Sequence, residues 1–142
     1  MSLSTGTTLS GDDALLRLKA GNERFVAGTA RFPTVQKEIL ADLARGQQPY
    51  ATILACSDSR VPPELVFDAG FGELFIVRVA GNVLSPEVMG SLQYAGRHLR
   101  TPLFVVLGHT NCGGAPQRST PSCMAPGSIR GFRSWSIASC PD

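Results

Sequence analysis

The spacing of apolar residues changes character near residue 50. Before it, apolar side chains recur at helical intervals. Leu15, Leu18, Phe25 and Val26 fall on one face of a helix opening at Ser10-Gly11-Asp12-Asp13, where two acidic residues meet the positive end of the helix dipole. Gly28 can end it. A second helix is predicted after Pro33, with Ile39, Leu40 and Leu43 inward and its end near Gly46. Past that point the apolar residues come in short unbroken runs: Tyr50 to Ala55, Leu74 to Ala80 and Leu103 to Leu107. Runs without polar alternation suit strands buried on both faces, and hence a parallel sheet. Between the last two, Val88, Leu92, Ala95 and Leu99 return to helical spacing over Pro86 to Arg100, with Pro86 where a first helical turn accepts proline.

Helices alternating with apolar strands predict an α/β domain: a parallel β-sheet flanked by helices, with an N-terminal helical arm. Residues 1–114 are assigned to it, since 142 residues suffice for one domain and are too few for two. The stretch from Ala115 to Asp142 differs. Ser and Pro supply ten of its residues, Lys and Glu are missing, and Ile129, Phe132, Trp135 and Ile137 keep no period. Such a segment buries too little apolar surface to offset its ordering entropy, so 115–142 is expected to be an irregular, disordered tail.

Composition narrows the function classes. A hydrophobic fraction of 43% and a charged fraction of 17% read as soluble and globular. The net charge of +2 is small and the basic residues are scattered, which argues against nucleic acid. No apolar run approaches the roughly 20 residues of a membrane helix, so no membrane partner is expected. Met1 to Ser10 lacks the apolar stretch of a secretory signal, and the expected location is cytoplasmic. There, Cys56, Cys112, Cys123 and Cys140 serve metal binding or reactive-thiol chemistry before disulfides.

In open α/β sheets, ligands bind beyond the carboxyl ends of the strands. Cys56 ends the first apolar run, and His109-Thr110-Asn111-Cys112 follows the third. Two thiolates and one imidazole suit zinc, and three ligands leave the fourth position open, as catalytic sites do. A closed structural site would need a fourth ligand such as Cys123 or Cys140. In Cys56-Ser57-Asp58-Ser59-Arg60, an extended backbone would put Cys56, Asp58 and Arg60 on one face. Arg60 can then hold Asp58 in a bidentate pair and keep it ionised. Asp58 can accept a proton or hydrogen bond from metal-bound water, or take the fourth position itself.

Each signal alone has a plainer explanation. A lone Cys at a strand end is ordinarily a small apolar residue, and an Asp-x-Arg pair is ordinarily a surface ion pair. Their joint placement at strand ends carries the metal reading. His98 reads as a helix-surface residue near a helix C-terminus. Gly70, Gly72, Gly81, Gly113 and Gly114 read as turn glycines. A thiol redox role for Cys56 and Cys112 competes, but without a C-x-x-C motif.

These residues resemble the β-class carbonic anhydrases. The likeness lies in C-S-D-S-R-V-P at 56–62, G-E-L-F-I-V-R-V-A-G-N at 72–82 and G-H-T-N-C-G-G at 108–114, and extends from about residue 12 through the G-N-E-R-F-V-A-G stretch of an N-terminal arm. The resemblance implies one Zn2+ per chain on Cys56, His109 and Cys112, with Asp58 and Arg60 as a catalytic dyad. It implies reversible hydration of CO2 to bicarbonate by zinc-bound hydroxide. It further implies Gln47 as a substrate hydrogen-bond partner, Phe75 as a wall of the CO2 pocket across a dimer interface, and a homodimer or higher homo-oligomer. Carbon disulfide or another small heterocumulene would suit the same chemistry. The family continues past C-G-G into a helix and a further strand, whereas Pro116 and Pro121 break such a helix here. That break suggests a C-terminally truncated or frame-shifted member, with a catalytically impaired zinc-binding remnant as the alternative.

Overall fold

A computed structural model describes residues 9–31 and 37–114. The predicted tail, with Cys123 and Cys140, and the proposed helix start at Pro33 lie outside the described residues.

The first helix, α1 (Gly11–Val26), begins where its sequence marks it. Ser10 Oγ accepts the Asp13 N–H at 3.1 Å, and Gly28 follows the helix at a left-handed φ of 69°. Its buried face differs from the expected one. Leu18 is inward, but its companions are Ala14, Gly21 and Asn22; Leu15 and Phe25 are only half-buried and Val26 is exposed. The cause is close backbone approach. A Cβ on Gly21 would lie 1.8 Å from the Phe67 carbonyl oxygen, so small residues must face that contact. Asn22 Nδ2 also donates to Val66 O at 3.1 Å. In α2 (Lys37–Leu43) the expectation holds for Leu43, which is half-buried against Gly72. Ile39 and Leu40 are exposed instead, because the short helix meets the domain through its last turn.

Strands β1 (Ala51–Ala55), β2 (Leu74–Arg78) and β3 (Phe104–Leu107) form a parallel sheet in the order β2-β1-β3. All five β1 residues are buried. Burial on both faces was expected of all three strands, but β2 is half-buried throughout and Phe104 of β3 is exposed. Both are edge strands among the described residues, so only β1 has a neighbour on each side. The strands also stop short of the apolar runs: β2 ends at Arg78 because the chain turns over Ala80–Asn82, with Gly81 at φ 67°. The short helix α3 (Pro63–Val66) lies between β1 and β2. Helix α4 (Pro86–Tyr94) lies between β2 and β3, capped by Ser85, and widens into a π turn over Ala95–Leu99. Val88 and Ala95 are buried and Leu92 and Leu99 half-buried, as their spacing predicts.

Leu18, Ile53, Val61, Phe67, Val105 and Leu107 build one core. Burying each such side chain contributes about 1.5–3 kcal/mol. The register then sets the site: Ala55 pairs with Arg78 on one side and Leu107 on the other. The strand ends are level, so Cys56, Val79 and Gly108 leave the sheet side by side.

Candidate metal centre

That common edge brings the two ligand loops together. One donor atom from each of Cys56, His109 and Cys112 lies within 4.8 Å of the others. The two Sγ atoms are 3.7 Å apart, and both thiols are free. The His109 side chain is 3% exposed. Its Nδ1 lies 3.1 Å from the Thr110 carbonyl oxygen and 3.4 Å from Arg60 Nη2; the shorter contact, to an oxygen that can only accept, favours a proton on Nδ1 and leaves the Nε2 lone pair free. Nε2 is buried and has no hydrogen-bond partner among the described residues. An orphaned imidazole nitrogen beside two thiols is the donor set zinc favours, so these residues fit the ion.

Asp58 and Arg60 stand beside the cluster, by a different route from the expected one. The backbone turns at Ser59 and Arg60 instead of staying extended. Asp58 Oδ1 accepts the Arg60 backbone N–H at 2.9 Å, an Asx-type turn that folds the guanidinium back. The pair is then bidentate, Nε to Oδ1 at 2.8 Å and Nη2 to Oδ2 at 2.7 Å. Asp58 Oδ2 lies 3.9 Å from His109 Nε2. The Arg60 hydrogen bonds hold the Asp58 carboxyl well below the usual carboxylate range. Burial, the largest single influence, opposes a thiolate at Cys56, but the Gly81 N–H and the other polar neighbours together outweigh it, and the thiol comes down to about 7.

The end of β2 and the turn after it support this arrangement in ways the sequence did not single out. Arg78 Nε donates to Cys56 O at 2.9 Å and its Nη2 to Asp58 O at 2.7 Å, clamping the loop between them. The Gly81 N–H meets Cys56 Sγ at 3.4 Å. Gly114 packs on the same turn: a Cβ there would lie 2.7 Å from Gly81 N. These contacts link residues twenty or more positions apart, so no local spacing signals them, although Gly81-Asn82 is a recognisable left-handed turn pair.

Gln47 is exposed, and no hydrogen bond joins it to the cluster among the described residues. Phe75 sits on edge strand β2 opposite Thr52, its ring 6.0 Å from that of Tyr94, which stands 5.2 Å from the His98 ring. His98 is exposed in the last helical turn. Within one chain, then, Cys56, Asp58, Arg60, His109 and Cys112 converge and Gln47 and Phe75 do not. None of the described helices is long and apolar enough to cross a membrane.

Comparison with known proteins agrees with this geometry. A family model described as carbonic anhydrase matches residues 51–131, taking in both ligand loops and continuing past Gly114. Carbonic anhydrase 2 of Mycobacterium tuberculosis is 52% identical over 96 residues, 68% of this chain and 46% of that protein. The β-carbonic anhydrase CafA of Aspergillus fumigatus superposes with a TM-score of 0.51 at 34% identity, covering 66% of this chain and 45% of that one. A chain from the tetrameric β-carbonic anhydrases of Sordaria macrospora gives a TM-score of 0.51 at 29% identity, covering 66% and 48%. The chain spans about half the length of the curated relatives it matches. With more than half of its residues inside the family model, and a parallel sheet shared with these structures, the chain belongs to the β-class carbonic anhydrase family.

Proposed function

We propose that this chain catalyses the reversible hydration of carbon dioxide to bicarbonate, with one zinc ion held by Cys56, His109 and Cys112. The observation that carries the proposal is the convergence of three soft donors within 4.8 Å, with an ionised carboxylate beside them. Bound zinc supplies a Lewis acid that makes hydroxide available near neutral pH, as the three-histidine carbonic anhydrases exemplify. The chain's own residues do the remaining work. Asp58, kept ionised by Arg60, would accept a hydrogen bond or proton from water beside the cluster, or would itself serve as a further ligand. Arg60 stays charged at any working pH, so the orientation of Asp58 does not depend on it titrating.

Gln47 and Phe75 are assigned to substrate, as a hydrogen-bond partner and an apolar wall. Neither reaches the cluster within its own chain, so this part of the proposal requires a second copy. A homodimer or higher homo-oligomer is therefore included. The exposed Leu65, Phe71, Val83, Leu84 and Met89 supply apolar surface for such an assembly.

Metal analysis of the purified chain, with Cys56→Ser and His109→Ala beside it, tests the site. We expect about one zinc per chain, lost in both variants, and stopped-flow CO2 hydration by the zinc-loaded chain. Zinc retained in either variant removes that residue from the ligand set. Zinc without turnover leaves the impaired remnant, and a wild-type chain that takes up no zinc ends the proposal.

A further inference from the structure

The turn after β2 holds one side chain that the mechanism does not use. Asn82 sits at a left-handed φ of 55°, directly after Gly81 at φ 67°. Its Nδ2 donates to Leu107 O at 3.0 Å. A carbonyl oxygen only accepts, so the amide group facing it is the NH2 end. Leu107 is the last residue of β3, two positions before His109. The preceding residue, Gly81, gives its N–H to Cys56 Sγ. One two-residue turn therefore touches a sulfur of the first ligand loop and the root of the second.

We propose that Asn82 is a positioning residue for the zinc centre, tying the turn that meets the Cys56 sulfur to the strand end from which His109 departs. The inference rests on the zinc reading given above. Two features set Asn82 apart from an ordinary turn residue. Its Oδ1 is buried and accepts no hydrogen bond from the described residues, which works against stability. Glycine would satisfy the left-handed backbone without that burden, but only a side chain with a donor also reaches Leu107 O. The tie crosses from the β2 side of the sheet to the β3 side, over β1, which carries Cys56. Without it, both ligand loops keep their strands but lose the brace that sets their separation.

Asn82→Gly tests the tie, because it keeps the left-handed backbone and removes only the side chain. Asn82→Asp keeps the shape and removes the donor. Zinc affinity is measured by chelator competition, and the thiolate-to-metal charge-transfer band is recorded on cobalt-loaded protein. We expect both variants to bind zinc about tenfold more weakly, the scale found for partners that orient metal ligands. We also expect a weakened or shifted cobalt band, with metal-free circular dichroism like that of wild type. Asn82→Asp carries the test if Asn82→Gly does not fold. Wild-type affinity and an unchanged cobalt band in the folded variants overturn this inference alone. Failure of the wild-type chain to bind zinc overturns the reading beneath it.

Discussion

Asp68→Asn removes the charge that fastens the N-terminal arm to the segment following the metal loop. The Asp68 side chain is 1% exposed. Its Oδ2 accepts from Arg24 Nε and, at 3.0 Å, from Arg31 Nε, while Oδ1 accepts the Arg31 backbone N–H at 2.8 Å. An amide can keep one of these oxygens. If it keeps the one facing both guanidiniums, its NH2 confronts the Arg31 N–H, donor against donor. One hydrogen bond to a charged acceptor is lost, worth about 1.5–3 kcal/mol, and the other two lose their charge assistance. Removing one partner of a buried pair costs about 3–5 kcal/mol. Arg24 and Arg31 are 31% and 58% exposed, so water recovers part of this and the lower end applies. We expect about 3 kcal/mol, read from urea unfolding at pH 7 followed by circular dichroism at constant zinc. A loss below about 0.5 kcal/mol, the scale of an ordinary surface substitution, would mean that Asp68 holds no such buried charge pair.

The same pair sets a pH dependence. Burial raises the Asp68 pKa, but the hydrogen bonds from Arg24 and Arg31 outweigh it and leave the carboxyl depressed. Its stabilising contribution is present above the unfolded-state value of about 3.9 and is lost as pH falls through the folded value. The gap between wild type and Asp68→Asn should therefore narrow below about pH 4; a gap constant to pH 2.5 would contradict this assignment. Gly21→Ala drives a Cβ into the Phe67 carbonyl and should lower stability by at least the roughly 1–3 kcal/mol of an overpacked site, read from the same urea curves. Asp58→Asn should retain zinc while CO2 hydration falls about 10²-fold, the low end of the acid–base range because a carboxylate held well below its usual pKa is a weak base; undiminished turnover would remove Asp58 from the mechanism. Thr52→Val breaks the buried 2.7 Å contact between Thr52 Oγ1 and Thr101 Oγ1, with an expected loss of about 1 kcal/mol in thermal or urea unfolding.

Features that depend on neighbours along the chain could be read from the residues alone. Ser10 and Pro86 mark helix starts through groups within one turn, and the three apolar runs mark strands through their own composition. The convergence of Cys56, Asp58, Arg60, His109 and Cys112 was legible because their two loops leave neighbouring strand ends, where a parallel sheet gathers ligands. Tertiary structure alone decided what depends on distant backbone. It turned Val26, Ile39 and Leu40 outward and Ala14 and Gly21 inward, because helix faces follow the closeness of what they pack against. Among the described residues it limited two-sided burial to β1, because strand order and edges are not written in any one strand. It also placed Arg78, Gly81 and Asn82 around the ligand loops, through hydrogen bonds across the sheet edge whose partners register brings together and local spacing cannot reveal.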